Sequence, residues 1–151
     1  MAGKPEFEMP AGDYAGDVSC KDAWQALQEN PVAILVDVRT QVEWQLIGQP
    51  DLSTLEKEAV NIQWVTMQGM NDNFLEELQL ALKERGADKQ APLYFMCQSG
   101  GRSKMAAMQL TALGHKQCFN LFEGFEGDLD VHQHRNSVSG WKVAGLPWTQ
   151  S

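Results

Sequence analysis

The sequence predicts an α/β fold built on a mainly parallel five-stranded sheet with helices on both faces. Three observations predict it. Strand-like and helix-like segments alternate along the chain. The strand candidates include nearly unbroken apolar runs such as VAILVDV (32–38), which suit strands covered on both faces. The hydrophobic fraction of 43%, with five Trp and six Phe in 151 residues, is enough for one core of that kind.

The elements follow in order. Residues 1–14, rich in Gly, Pro and acid, are expected to form a flexible N-terminal arm, leaving 15–151 as a single domain. GDVS offers a short strand. Ser19 is placed to cap a helix running to about Asn30, with Ala23, Trp24 and Leu27 on one face and Pro31 closing it. The 32–38 run is the second strand. TQVEWQLIG reads as a short helix, PDLSTLEKE as a connection and AVNIQW (59–64) as the third strand. Asn73 with Glu76 has the spacing of a capping box for a helix carrying Phe74, Leu78 and Leu82 on one face, ended by Gly86. PLYFM (92–96) is the fourth strand, SKMAAMQLTAL a helix ended by Gly114, and KQCFNLF (116–122) the fifth strand. The aromatic tail GWKVAGLPW is expected to pack back on the domain.

A net charge of −8 and a pI near 4.8 argue against non-specific binding to nucleic acid or anionic membranes. No run is long and apolar enough to span a bilayer, and MAGKPEFEMPAGDYAG lacks the apolar centre of a secretory signal. Three cysteines, an odd number, fit free thiols in a reducing cytoplasm. His132 and His134 lack a nearby third ligand and read as surface residues, so no metal and no cofactor are expected. His115 suits a helix C-terminus through its charge. Cys118 sits in a strand pattern and reads as inert. Cys20 lies in a first helical turn, where a modest fall in pKa and an accessory resolving role are conceivable.

Chemistry concentrates in FMCQSGGRSK (95–104). Cys97 ends a strand, and ligands in open α/β sheets bind beyond the carboxyl ends of strands. Gly100 and Gly101 can take φ > 0 and curl successive N–H groups into an anion-binding nest, ahead of a helix expected to start near Arg102 or Ser103. A thiol facing such a nest gives up its proton more readily than a free one. Arg102 is unfavourable in a first helical turn against the dipole, so it should meet an anion or a carboxylate. Ser103 can cap the helix or donate to the sulfur.

CQSGGRS resembles the active-site loop of the rhodanese family. LVDVR (35–39) followed by Glu43 resembles that family's Asp-x-Arg strand end. NLFEGFEG (120–127) and GWKVAGLPW are similar to its glycine turn and its C-terminal ending. The resemblance spans roughly residues 16–148 and implies a rhodanese-like three-layer fold. It also implies a persulfide relay, in which Cys97 takes a sulfane sulfur from a small anionic donor such as thiosulfate. The sulfur then passes to cyanide or a thiol, a protein thiol included. Gln98, Ser99, Gly100, Gly101, Arg102 and Ser103 would form the cradle, with Asp37 and Arg39 as support and Glu43 as the partner of an arginine.

Two other classes remain open at this point. Phosphatases and arsenate-type reductases of the same fold have five residues between cysteine and arginine, and four stand here, which favours sulfur. Non-catalytic rhodanese-like binding modules often lack the cysteine, which this chain keeps. Two segments depart from the family pattern: IGQPDLSTLEKEAV replaces a usual GHIPGA stretch, and DVHQHRNSV is inserted after the glycine turn.

Overall fold

The computed structural model describes residues 13–150; most of the expected arm, residues 1–12, lies outside them, as does Ser151. The last residues of that arm are docked. Tyr14 donates its hydroxyl to Asp17 Oδ1 at 2.7 Å and packs on the core.

Five strands form the sheet: β1 (Gly16–Val18), β2 (Ile34–Asp37), β4 (Val60–Asn61), β7 (Leu93–Met96) and β8 (Cys118–Leu121). Their order is β1-β8-β7-β2-β4, and every neighbouring pair is parallel. The helices are α1 (Cys20–Glu29), α2 (Gln41–Leu46), α3 (Phe74–Glu84) and α4 (Gly101–Ala112).

The apolar runs are unbroken because both faces of the sheet are covered. Alternate strand residues point to opposite sides. Ile34, Val36, Leu93 and Phe95 meet Phe74, Leu78 and Leu82 of α3 and Ala106, Ala107 and Leu110 of α4. Leu35, Tyr94 and Met96 meet Cys20, Ala23 and Leu27 of α1, together with Phe125 and Trp141. The three-layer α/β architecture expected from the sequence is therefore present.

Several boundaries differ. The 32–38, 59–64 and 116–122 strands shorten to the ranges above, because their ends turn into loops that still donate to the sheet, as Ile62 N–H does to Asp37 O at 3.1 Å. Asn73 makes no side-chain cap; at φ −101° and ψ 12° it is not extended, and its N–H donates to Asn71 Oδ1 at 3.0 Å. A capping box forms instead at α2. Thr40 Oγ1 accepts from Glu43 N–H at 3.2 Å, and Glu43 Oε1 accepts from Thr40 N–H at 3.1 Å.

Two antiparallel pairs flank the sheet: β3 (Gln49–Pro50) with β9 (Trp148–Thr149), and β5 (Val65–Thr66) with β6 (Gly69–Met70). At two residues each they leave no periodicity to read. The tail packs back as expected. Trp141 is fully buried and donates its Nε1–H to Pro147 O at 2.7 Å. No helix among the described residues is long and apolar enough to cross a membrane.

The end of β2 holds a buried ion pair. Arg39 is fully buried, with Nη2 2.8 Å from Asp37 Oδ2, Nε 3.0 Å from Oδ1, and Nη2 also donating to Gly48 O at 2.9 Å. Removing one partner strands a charge in the interior. Arg39→Met is therefore expected to cost about 3–5 kcal/mol, read as a fall in urea midpoint, and the double variant Asp37→Leu/Arg39→Met to recover most of it.

Candidate active site

Parallel pairing brings the carboxyl ends of β1, β2, β7 and β8 to one edge. Asp37 lies opposite Met96, Phe95 opposite Asn120, and Asn120 opposite Asp17. Cys97 follows β7 at that edge, 1% exposed. The loop beyond it closes in three residues and enters α4 at Gly101 rather than at Arg102 or Ser103.

The loop is held from both sides. The Gly100 N–H donates to Cys97 Sγ at 3.2 Å, and Ser103 Oγ lies 3.2 Å from the same sulfur. The carbonyls of Cys97 and Gln98 would repel an anion, but they are taken up by the glycine turn. Phe125 N–H binds Cys97 O at 2.8 Å, and Glu126 and Gly127 N–H bind Gln98 O at 3.0 and 3.2 Å. Gln98 and Ser99 are half-buried, and Gln98 Nε2 donates to Glu126 Oε2 at 3.1 Å.

Gly100 caps α4 at φ 104°, and a Cβ there would stand 2.6 Å from Phe122 O. Gly101 is different from the sequence expectation: it is the first helical residue, not a second left-handed one, and nothing lies within 4 Å of its Cβ position.

Arg102 finds the carboxylate that its unfavourable position requires. Its Nη1 and Nη2 donate to Glu43 Oε1 and Oε2 at 2.8 and 3.0 Å. Burial pushes the Glu43 carboxyl up. The Arg102 hydrogen bond, the Thr40 N–H, the Arg102 charge and the Thr40 hydroxyl outweigh it and hold Glu43 below its ordinary value of 4.5. The same hydrogen bond, against opposing burial, raises Arg102; the nearby Glu43, Cys97 and Asp37 add to the rise. Asp37 and Arg39 do not reach the sulfur themselves. The Arg39 guanidinium lies 4.2 Å over the Phe125 ring, and Phe125 holds the Cys97 carbonyl.

Asn120 belongs to this constellation and was not singled out from the sequence. It is 3% exposed; its Nδ2 donates to Asp17 Oδ1 at 3.1 Å and Gly100 O at 3.2 Å, and its Oδ1 lies 2.6 Å from Ser103 Oγ. The available signal was a lone amide inside the apolar strand CFNLF.

Other expectations change or stand as follows. Cys20 is fully buried, and its Sγ–H donates to Gly124 O at 3.3 Å. Burial pushes its thiol up, and the neighbouring Glu123 charge and hydrogen bond add to this, so it does not suit a resolving role. Burial likewise pushes Cys118 up to about 11, against a lowering hydrogen bond from Thr111. His115 is 6% exposed, and burial with nearby Lys89 pushes it down; near neutral pH it is uncharged and adds nothing to the helix dipole. His132 and His134 are exposed. Their N–H groups donate to Asp130 Oδ1 at 2.8 and 2.9 Å, which folds the inserted segment on itself.

Residues 15–151 match the family model described as STR4 middle domain. An uncharacterized protein of Rickettsia conorii is 39% identical over 127 residues, 83% of this chain and 90% of that one. The rice (Oryza sativa subsp. indica) protein THYLAKOID RHODANESE-LIKE, chloroplastic, is 33% identical over 135 residues, 89% of this chain but 25% of that longer protein. The crystal structure of Rv0390 from M. tuberculosis superposes with a TM-score of 0.80 at 45% identity, covering 92% of this chain and all of that one. The polysulfide-sulfur transferase homodimer from Wolinella succinogenes gives 0.56 at 25%, covering 93% and 82%. The chain belongs to the rhodanese-like family.

Two predictions follow from the loop. Gly100→Ala is expected to abolish reactivity of Cys97 and lower the melting temperature, whereas Gly101→Ala should raise stability by about 0.4–1 kcal/mol, measured by urea unfolding. The second concerns Glu43, whose folded-state pKa is depressed. Its contribution is present above its ordinary value of 4.5 and lost as pH falls through the lower folded value. The stability gap between wild type and Glu43→Gln should therefore be flat from neutral pH to about 5 and close below 4.5, followed by urea unfolding at each pH.

Proposed function

We propose that the protein is a sulfurtransferase of thiosulfate type that carries a sulfane sulfur on Cys97. The observation that supports this best is the setting of one thiol among three. Cys97 Sγ accepts the Gly100 N–H at the head of α4, beside the Ser103 hydroxyl, at the carboxyl edge of a parallel sheet. The name of the Wolinella succinogenes relative, a polysulfide-sulfur transferase, is in keeping with it.

The steps are two displacements. The Cys97 thiolate attacks the outer sulfur of thiosulfate; the Sγ–S bond forms, the S–S bond of the donor breaks, and sulfite leaves with its electron pair. A nucleophile, cyanide or a thiolate, then attacks the outer sulfur of the persulfide, and Cys97 leaves as thiolate. The loop of Gln98, Ser99, Gly100, Gly101 and Arg102 cradles the outer sulfur. Glu43 already balances Arg102, so the donor's charge is met chiefly by loop N–H groups and the α4 dipole, and Arg102 fixes the loop's shape. No metal or cofactor enters these steps. The partners are small anions and thiols, without nucleic acid or membrane, and a reducing cytoplasm is the setting that suits them.

Incubation with thiosulfate should add one sulfur, about 32 Da, to the peptide holding Cys97. Sulfur on Cys20 or Cys118 instead would refute the site. Robust aryl phosphate hydrolysis lost in Cys97→Ser would favour the phosphatase reading. No reaction of any kind at Cys97 would favour a binding module.

A further inference from the structure

We propose that Asn120 is a positioning residue that decides which acceptor the Ser103 proton serves, and so sets how readily Cys97 becomes a thiolate. The proposal rests on Cys97 being the reactive thiol of the site, but not on the identity of the sulfur donor.

The orientation of the Asn120 amide is fixed by its neighbours. The Asp17 carboxylate oxygen at 3.1 Å and the Gly100 carbonyl at 3.2 Å can only accept, so the NH₂ faces them. The amide oxygen therefore faces Ser103 at 2.6 Å. Ser103 has one hydroxyl proton and two acceptors within reach, Asn120 Oδ1 and Cys97 Sγ at 3.2 Å. Ser103 is fully buried and Asn120 is 3% exposed, so bulk water does not supply either of them with a missing partner.

Two arrangements satisfy this chain differently. In the thiol, Cys97 S–H donates to Ser103 Oγ, Ser103 O–H donates to Asn120 Oδ1, and Asn120 N–H donates to Asp17 and Gly100. Each buried donor then has an acceptor. When the S–H proton leaves to a base in solution, Sγ⁻ becomes the stronger acceptor and the Ser103 proton rotates onto it. That rotation strips Asn120 Oδ1 of its donor. Asn120 thus opposes the thiolate by about one hydrogen bond, and it receives the Ser103 proton back when the sulfur is neutral again, as thiol or persulfide. Of the charged groups on the elements around the site, Arg102 on α4 is coupled to Cys97, Asp17 on β1 binds Asn120, Asp37 binds Arg39 beyond β2, Glu43 on α2 binds Arg102, and in the turn after β8 Glu123 binds the Cys20 N–H and Glu126 binds Gln98. Asp37 with Arg39 and Glu43 with Arg102 are balanced pairs.

The test is the pH profile of Cys97 alkylation by iodoacetamide, read on the Cys97 peptide by mass spectrometry. In Asn120→Leu the profile should move to lower pH, so that alkylation below the wild-type midpoint is about two- to tenfold faster. Ser103→Ala should move it to higher pH, and Asn120→Leu should add nothing in that background. A shift to higher pH in Asn120→Leu, no shift, or an equal shift with and without Ser103 would overturn the proposal. Should Asn120→Leu not fold, Asn120→Ala serves. It too removes the amide oxygen that takes the Ser103 proton, so its acceleration should vanish when Ser103 is absent. An acceleration that is equal with and without Ser103 overturns the relay. Alkylation does not involve thiosulfate, so a failed persulfide assay and a failed relay are separate results.

Discussion

The carbonyl of Cys97 is the group on which the rest of the site depends. Its lone pairs are used in the glycine turn rather than in the loop around the sulfur. The Phe125 N–H holds it at 2.8 Å, and that one bond fixes where the glycine turn sits. Everything packed on the turn then acts on the loop at one remove. Arg39 lies over the Phe125 ring, Trp141 N–H binds Gly124 O at 2.9 Å, and Cys20 Sγ–H binds the same oxygen. Gly124 itself has φ 72°, and a Cβ there would collide with the Gln98 carbonyl, so the turn can approach the loop only as glycine. A buried ion pair at the end of β2 and a tryptophan in the tail thus support the loop through the glycine turn.

The charge arrangement follows from the same economy. The protein carries a net charge of −8, and the cations nearest its candidate site are already paired. It does not use loose cations to compensate. Arg39 is spent on Asp37 and Arg102 on Glu43. What remains for the sulfur is the head of α4 and the Gly100 N–H, which are fixed in direction and cannot be deprotonated. Glu43 has two tasks that share a geometry: its Oε1 closes the capping box of α2 while both oxygens clamp Arg102. The start of α2 and the start of α4 are therefore oriented by one carboxylate.

Much of this was legible in the sequence, for identifiable reasons. The doubly covered strands announced themselves through LVDV and PLYFM, because burial on both sides removes alternation. The strand–cysteine–glycine–helix order put Cys97 at the carboxyl end of a strand, and it lies directly after β7. Arg102 in a first turn implied an anion or a carboxylate, and the structure pairs it with the Glu43 carboxylate. The failures have physical causes too. Asn73 and Glu76 have capping-box spacing, but Asn71 captures the Asn73 N–H first and bends the entry to the helix. Thr40 with Glu43 has the same spacing, yet only tertiary contact shows that it forms. Asn120 could not be read at all. Its partners are Asp17, Gly100 and Ser103, which are distant in sequence and adjacent only across three strands and a helix start.

The three cysteines show why burial alone cannot identify a reactive thiol. Cys20, Cys97 and Cys118 are 0%, 1% and 0% exposed, so accessibility does not separate them. The partners of each sulfur do. Cys20 sulfur gives its proton to a carbonyl and lies near a carboxylate, and both favour the protonated form. Cys118 starts a central strand in an apolar setting that also favours the thiol. Cys97 sulfur accepts the backbone N–H of Gly100 at the head of α4, beside the Ser103 hydroxyl. The first helical turn that the sequence offers Cys20 lends it no such field, because its own N–H is already taken by Glu123. A helix N-terminus activates a thiol only when the free N–H groups point at the sulfur, and in this fold the α4 loop is the place where one does.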